Sequence, residues 1–470
     1  MKPLRSVLSC SLCAALIACG GSSSDNSNTT GGGNNFASCS FADQNQRFFE
    51  YMQEDYFWND SLPQTIEPEA YDDVYQLLEE LRAPEDRYSY ILTQDEYDAL
   101  FVSAEYAGFG FSQQQISAER VKLRFVYQDS PAWDAGMRRA NEIIAIDGVP
   151  VSQLLANGTY NDALGPAESG ITRDITWRTP TGDEQSATIT KDEVATNTVM
   201  GQTIWQLDGQ SVGYFTLDAF INRTGNDLNQ VFNELDANNI DRLVIDLRYN
   251  GGGLIRYANQ LATQTAGTQV QGKTFIQYRF NDNNAAQNET VPFSLVDGIR
   301  QLDLDQVIVL TTGASCSSSE LVINSLRPHV DVITIGETSC GKPVGQQPQE
   351  LCDKVTFAIN FETVNSEGQG QYYDGLSPDC PVNDAIVADW GEFADPLTGA
   401  ARDFIVNGQC PVSTAALEHV SKPAYKNAPI FTMKDKRATL QQIPRPEPCV
   451  NHARLVCVNH PSWYRTDCFR

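Results

Sequence analysis

Four serines stand within five positions of one short stretch, residues 313–326, which reads GASCSSSELVINSL. A serine hydroxyl becomes a nucleophile only when a neighbouring group accepts its proton, so the stretch raises the question of the base. It follows the apolar run VIVL and precedes apolar residues with helical spacing. Catalytic groups often gather at such a strand-to-helix turn, because the first N–H groups of a helix are free.

Histidine is the usual base for a serine, but the chain contains only four histidines. His329 is the only one near the serines in sequence, and it follows Pro328 at the end of the predicted helix. The other three lie in the tail and are His419, His452 and His460. A surface histidine explains His329 better than a general base does, so a Ser-His-Asp triad has little support.

Lysine is the alternative base. Residues 336–346 read GETSCGKPVGQ and place Lys342 after a glycine turn at a strand end. A free lysine, with a pKa of ~10.4, is protonated at neutral pH, but burial can lower that pKa to roughly 7–8. Arginine cannot do this, because its guanidinium stays protonated. Gln346 lies four residues after the lysine and could hold the amine without adding charge.

The pattern SxSxSE, followed by GKxxxQ and preceded by DLRxNxGG, resembles that of the carboxyl-terminal processing proteases, peptidase family S41, over roughly residues 45–400. In that family the nucleophile stands three residues before the glutamate and 25 before the lysine, and both spacings select Ser317 when they are counted from Glu320 and Lys342. The resemblance therefore implies a serine endopeptidase with Ser317 as nucleophile, Lys342 as base and Gln346 beside it. It implies no metal and no organic cofactor.

The third motif is residues 246–254, DLRYNGGGL, whose glycines let the backbone approach a substrate carbonyl closely. By resemblance, the N–H groups of Gly252 and Ser318 would form the oxyanion hole. The charged and amide side chains of the motif are expected to brace the turn rather than to react.

Three positions around the predicted dyad depart from the family pattern. Cys340 replaces the usual phenylalanine before the Gly-Lys pair, Pro343 replaces the glycine after it, and Cys316 takes the place of a small residue before Ser317. We hypothesise a Cys316–Cys340 disulfide that fixes Ser317 near Lys342. Two separately buried or otherwise paired thiols are the open alternative.

The elements around these motifs predict a multidomain α/β protein. From about residue 200 the hydrophobic pattern alternates between strand and helix periods, which indicates a largely parallel sheet. The resemblance makes residues 194–408 an α/β serine-protease core of the ClpP/crotonase-like kind. Helical spacing predicts a small helical N-terminal domain over residues 44–104.

Residues 105–193 resemble a PDZ domain in two places. AGFGF (107–111) is similar to its carboxylate-binding loop, and SPAWDAGMRRANEIIAIDGVPV (130–151) to its most recognisable stretch. The resemblance implies that backbone amides of Gly108, Phe109, Gly110 and Phe111 hold a chain-terminal carboxylate while the peptide adds as a strand. We therefore expect protein or peptide substrates that are bound through their C-termini.

The N-terminus predicts export. Residues 1–19 have a charged start, a short apolar stretch and the ending LIAC, which resembles a bacterial lipobox with Cys19 as the lipidated residue. Residues 20–43 begin as a Gly-, Ser- and Asn-rich flexible tether. We expect a protein of the bacterial cell envelope that faces the periplasm or exterior and contacts the membrane only through its lipid.

Cysteine usage and charge agree with this location. After Cys19, nine cysteines remain, and an oxidising compartment would pair most of them. Residues 409–470 form a predicted Cys-rich appendage of unknown role, and none of the nine cysteines has C-x-x-C metal spacing. The formal net charge of −27 argues against nucleic-acid binding. The nine are Cys39, Cys316, Cys340, Cys352, Cys380, Cys410, Cys449, Cys457 and Cys468.

Two other functions are compatible with parts of the sequence. Ser339 and Lys342 match the S-x-x-K motif of penicillin-binding proteins, but Gly341 and Pro343 suit a helix badly and K-T-G is absent. The second rival is a non-catalytic, PDZ-containing peptide-binding lipoprotein, which the altered surroundings of Lys342 would favour. The presence of all the catalytic motifs argues against it. The oligomeric state has no signal in the sequence.

Overall fold

The structure is a computed structural model that describes residues 38–98, 105–294 and 298–411. The predicted signal peptide, the lipidated Cys19, most of the tether and nearly all of the C-terminal appendage lie outside these ranges, so their predictions stay predictions. Within the described ranges, no helix is long and apolar enough to cross a bilayer.

The N-terminal segment is built on two helices. Helix α1 spans Phe41–Asp55 and is capped by Ser40, and helix α2 spans Val74–Leu81 and is capped by the Asp73 carboxylate. Their apolar faces are buried against strands of the large core. The buried apolar residues are Phe48, Phe49, Met52, Val74, Leu77, Leu78 and Leu81. The segment ends in β1 (Tyr90–Thr93) and α3 (Gln94–Tyr97).

Residues 105–195 form a β-rich module. Its elements are β2 (Glu105–Gly108), β3 (Phe111–Ser117), β4 (Arg120–Val126), α4 (Pro131–Asp134), β5 (Glu142–Ile146), β6 (Val149–Pro150), α5 (Val151–Ala156), α6 (Tyr160–Leu164), β7 (Thr172–Arg178), β8 (Glu184–Thr190) and β9 (Asp192–Ala195). Strands β3, β4, β5, β7 and β8 form an antiparallel sheet in that order, and β2 pairs separately with β9. The module has its own core around Leu123, Ile175 and Trp177.

The remaining residues form a two-sheet α/β core. Its elements are β10 (Val199–Leu207), β11 (Gln210–Leu217), α7 (Thr224–Ala237), β12 (Arg242–Asp246), α8 (Ile255–Ala266), β13 (Thr274–Phe280), β14 (Glu289–Pro292), β15 (Gln306–Thr311), α9 (Ser318–Leu326), β16 (Asp331–Gly336), β17 (Val344–Gln346), β18 (Gln349–Leu351), β19 (Lys354–Phe357), β20 (Ile359–Val364), β21 (Cys380–Pro381) and α10 (Pro396–Asn407).

The central sheet has the strand order β10-β11-β12-β15-β16-β21. All its pairs are parallel except the β10–β11 hairpin. Asp246 at the end of β12 lies opposite Leu310 of β15. The glycine-rich turn after β12 and the serine-rich turn after β15 therefore leave the sheet side by side, at its carboxyl edge.

A second, antiparallel layer carries the lysine motif. Its order is β14-β13-β20-β17, and β17 begins two residues after Lys342. Strand β1 of the N-terminal segment joins β19 and β18 in a third small sheet. The lysine loop is therefore flanked by the N-terminal segment as well as by the core.

A buried ionic cluster joins the β-rich module to the core. Arg139 of the module donates from Nη2 to Asp395 at 3.1 Å, and Asp395 also accepts from Arg248 at 2.8 Å. Arg248 in turn pairs with Asp246 at 2.7 Å. All four side chains are almost inaccessible to solvent, and removing one partner would leave an uncompensated buried charge.

Candidate active site

The turn between β15 and α9 distinguishes one serine from its neighbours. Ser315 donates to the Leu247 carbonyl at 2.8 Å, Ser318 to Gly253 at 2.8 Å and Ser319 to Asn250 at 2.9 Å. These three hydroxyls tie the serine turn to the glycine-rich turn beside it. The Ser317 hydroxyl donates to no other group among the described residues.

Ser317 also has an unusual backbone. Its φ is +56°, in the left-handed region that few residues other than glycine adopt. Its N–H donates to Glu320 at 2.9 Å, and the preceding Cys316 N–H donates to the Asn250 carbonyl at 3.0 Å. Bonds on both sides therefore hold a conformation that would otherwise be strained, as is common at functional sites.

Lys342 is buried and lacks a carboxylate partner within salt-bridge distance in the described part of the chain. Its Nζ donates to Oε1 of Gln346 at 2.7 Å and lies 5.4 Å from the centre of the Tyr88 ring. Burial lowers the pKa of Lys342 to about 8, although the more distant Asp86 and Glu320 act in the opposite direction. An appreciable fraction of its amine is thus neutral near physiological pH.

Tyr88, from the N-terminal segment, holds the lysine loop in place. Its hydroxyl donates to the Gly341 carbonyl at 2.5 Å, and its own carbonyl accepts from Gln346 Nε2 at 2.6 Å. The second bond fixes the amide of Gln346 so that its oxygen faces Lys342. Sequence reasoning missed Tyr88, because no local pattern links it to a motif more than 250 residues away.

Ser317, Lys342 and Gln346 line one cavity of about 750 Å³. Gly253 of the glycine-rich turn also lines the cavity, whose lining is both polar and apolar. The apolar side chains of the wall include Leu254, Tyr278, Phe280, Leu321, Val344 and Phe361. The structure thus brings the three predicted catalytic residues together around a space open to a peptide chain.

Glu320 joins the serine turn to the lysine loop. Its carboxylate is fully buried and accepts from the N–H groups of Ser317, Gly341 and Lys342 at 2.7–2.9 Å, and from the Ser339 hydroxyl at 2.5 Å. Burial raises the pKa of Glu320, and the four donors oppose that rise. In the sequence, this residue served only as a reference point for counting.

The two cysteines beside the site form a disulfide. Cys316 and Cys340 are bonded, with Cα atoms 5.1 Å apart. The hypothesis that these two pair is confirmed in this structure. A second disulfide joins Cys380 of β21 to Cys410.

The glycine-rich turn approaches the serine turn too closely to accept a side chain. A Cβ on Gly252 would lie 2.7 Å from Ser317 Cβ. The Gly252 N–H, however, donates to the Asn250 side chain at 2.8 Å, so it is already engaged. The next amide, Gly253, lines the cavity and donates no hydrogen bond within the described ranges.

Other residues considered from the sequence lie outside this cavity. His329 Nε2 is 3.4 Å from the Thr274 carbonyl, and burial lowers the pKa of the ring. Ser339 is not on a helix with Lys342, and its hydroxyl is bonded to Glu320. The loop 108–111 lies in the β-rich module, where the N–H groups of Phe109 and Gly110 donate no hydrogen bond to the described chain.

Comparison with known proteins then identifies the core. Residues 211–382 match the profile of peptidase family S41, and residues 43–90 match the S41 N-terminal domain. The chain is similar to the S41 peptidases over these two segments, which together make up slightly less than half of its length. The serine turn, the glycine-rich turn and the lysine loop all lie within the first of the two matches.

The relatives are carboxyl-terminal processing proteases. That of Synechocystis sp. is 26% identical over 348 residues, covering 72% of this chain and 78% of its own length. That of Picosynechococcus sp. is 27% identical, with coverages of 74% and 81%. This similarity supports a peptidase role for the chain.

The fold has a counterpart among solved structures. A Bacteroides fragilis protein assigned to the S41 proteases superposes with a TM-score of 0.66 and 21% identity, covering 77% of this chain and 97% of that one. The mixed α/β, multidomain architecture predicted from the sequence is thus confirmed. At this identity the likeness concerns the fold alone.

Proposed function

We propose that this protein is a serine endopeptidase in which Ser317 is the nucleophile and Lys342 the general base. The observation that carries the proposal is that one cavity is lined both by a serine hydroxyl without an acceptor in the described chain and by a lysine with a lowered pKa. Among the described residues, Ser317 is the one serine of its turn whose hydroxyl donates to no protein group, and burial lowers the pKa of Lys342 to about 8.

The proposed reaction begins with proton transfer. The neutral amine of Lys342 takes the Ser317 hydroxyl proton as the oxygen attacks a peptide carbonyl, and the resulting ammonium then protonates the leaving amine. Water releases the acyl-enzyme with the same lysine as base. Gln346 accepts one N–H of the amine, which leaves its lone pair free for the serine proton.

The oxyanion of the tetrahedral intermediate needs backbone N–H donors close to Ser317. Ser318 follows the nucleophile at the start of α9, where helix N–H groups are free. The family resemblance implies Gly252 as the second donor, but the Gly252 N–H donates to the Asn250 side chain. The uncommitted N–H of Gly253 supports that residue as an alternative second donor.

Substrate presentation is assigned to the β-rich module as a PDZ domain. The N–H groups of Phe109 and Gly110, which donate to no group in the described ranges, would donate hydrogen bonds to the terminal carboxylate of a substrate. In this proposal the anchored chain then runs to the cavity of the core, and a lipid on Cys19 keeps the protein at the envelope. A peptide with an amidated C-terminus should therefore be cleaved less efficiently than the free acid, through a higher KM.

Cleavage of an unfolded protein such as casein tests the proposal. Wild type should produce fragments, whereas Ser317→Ala and Lys342→Arg should produce none. Lys354→Arg is the matched control, since Lys354 is also a buried lysine but pairs with Asp353 outside the cavity. Cleavage by Ser317→Ala at the wild-type rate would refute the mechanism. No cleavage by wild type, combined with peptide binding, would favour the non-catalytic alternative.

A further inference from the structure

The Cys316–Cys340 disulfide lies where the two catalytic loops meet. Cys316 directly precedes Ser317, and Cys340 stands two residues before Lys342. Cys316 is fully buried, whereas Cys340 is partly exposed. An external thiolate would therefore reach the sulfur of Cys340 first. The proposed hydrolysis uses neither sulfur.

A carboxylate lies directly beside this disulfide. Glu320 Oε2 is 3.4 Å from Cys340 Sγ, and the ligand atoms of Cys316, Glu320 and Cys340 all lie within 4.8 Å of one another. Within the described ranges, this is the only group of three His, Cys, Asp or Glu side chains close enough to hold a metal ion. While the sulfurs are bonded to each other, neither is available as a thiolate ligand.

We propose that these three residues form a redox-controlled site for a soft divalent cation such as Zn²⁺, and that the bound cation switches the peptidase off. Opening the site requires a dithiol reductant. One reductant thiolate attacks Cys340 Sγ and expels the Cys316 thiolate, and the second reductant thiol then closes the reductant disulfide and frees Cys340. Two electrons and two protons pass to the protein sulfurs.

The donor set favours a soft cation once the sulfurs are reduced. Thiolates select zinc over magnesium or calcium, and a cation that displaces both thiol protons is held by two sulfurs and one carboxylate oxygen. A water molecule would complete tetrahedral coordination.

The link to activity runs through Glu320 and rests on the proposed function. Its Oε2 accepts the N–H groups of both Ser317 and Lys342, at 2.9 and 2.8 Å. A cation that takes this oxygen competes for the bonds that hold the two catalytic residues in register. Reduction alone leaves those bonds intact, so the reduced, metal-free protein should remain active.

Zinc counting tests the site without reference to activity. Full-length Ser317→Ala, which cannot digest itself, is reduced with dithiothreitol, desalted without oxygen and titrated with ZnCl₂, and bound zinc is counted by native mass spectrometry. Compared with its oxidised form, the reduced protein should hold one more zinc per chain. Adding Cys316→Ser and Cys340→Ser should abolish that zinc, whereas adding Cys380→Ser and Cys410→Ser, which removes a disulfide elsewhere, should leave it.

Equal zinc uptake by the reduced protein with and without Cys316 and Cys340 would overturn the proposal. Replacing zinc with Co²⁺ allows a second, spectroscopic measurement that does not depend on counting bound ions. Thiolate ligation of Co²⁺ gives a sulfur-to-cobalt charge-transfer absorption band. Absence of that band in the reduced protein would likewise overturn it.

Activity assays test the switch separately. Zinc should lower the cleavage rate of reduced wild type by about 100-fold, as expected for displaced catalytic groups, and should leave the oxidised enzyme unaffected. Equal inhibition of the oxidised enzyme would contradict the switch. If wild type cleaves nothing in any redox state, the proposed function fails, while the zinc count still decides whether the metal site exists.

Discussion

Lys342 and Gln346 are joined by a hydrogen bond of 2.7 Å from Nζ to Oε1, and the other end of the Gln346 amide is fixed on the Tyr88 carbonyl. The amide therefore contacts the amine only through an acceptor. An acceptor supports both the ammonium and the neutral amine, so Gln346 positions the lysine without adding a charge that would raise its pKa. The buried setting, rather than a charged neighbour, accounts for the lowered pKa.

The first prediction concerns the pH dependence of cleavage. Because a general base must be neutral, kcat/KM should rise with pH and level off above an apparent pKa of about 8. The measurement is a pH–rate profile on a peptide substrate under subsaturating conditions. A profile that falls between pH 7 and pH 9 would contradict a lysine base.

The second prediction concerns stability. Burial lowers the pKa of Lys342 from an ordinary 10.5 to about 8. Burying the ammonium therefore destabilises the folded protein fully below pH 8, and this destabilisation disappears as the pH rises toward 10.5. Lys342→Met should therefore raise the free energy of unfolding by about 2 kcal/mol at pH 7, after loss of the bond to Gln346. The gain should shrink at pH 9.5 in urea titrations. A gain that is independent of pH would show that the ammonium is not its source.

The third prediction concerns the carboxylate between the loops. In Glu320→Gln, an NH₂ group replaces one carboxylate oxygen and faces N–H or O–H donors that it cannot accept from. We expect the free energy of unfolding to fall by about 2–4 kcal/mol and kcat to decrease. Glu350→Gln, on an exposed position of β18, is the control and should change stability by less than about 0.5 kcal/mol. Denaturation and cleavage are measured on both variants. Equal behaviour of the two would mean that Glu320 does not hold the site together.

The fourth prediction separates steric conflict from backbone strain. Gly252→Ala places a Cβ 2.7 Å from Ser317 Cβ, whereas Gly272→Ala has a similarly positive φ and no atom within 4 Å. Both variants should lose about 1 kcal/mol of stability from strain, but only Gly252→Ala should lose activity, by about 100-fold. A fully active Gly252→Ala would show that the turn can move away from the nucleophile.

Much of the architecture is local enough to be read from the sequence. The short apolar runs within 242–246 and 306–311 predict strands, and both segments are buried parallel strands in the structure. The helix predicted after the serine turn spans Ser318–Leu326. The buried ionic contact of Arg139 with Asp395 could not be predicted, since the two residues are 256 positions apart and no local pattern links them.

The parts of the site that motif spacing identifies were predictable from the sequence. Ser317, Lys342 and Gln346 do line one cavity, and the hypothesised Cys316–Cys340 pair is bonded. Two features needed the structure: the contact of Tyr88 with the lysine loop, which is non-local, and the capture of the Gly252 N–H by Asn250, which depends on turn geometry.

Covalent trapping tests the central claim most directly. Wild type is treated with a fluorophosphonate across a range of pH, and the modified residue and labelling rate are read by mass spectrometry. We predict a single adduct on Ser317, formed faster as pH rises through about 8, and no adduct in Ser317→Ala or Lys342→Arg. An adduct on a different residue, or equally fast labelling of Lys342→Arg, would contradict the Ser317–Lys342 dyad.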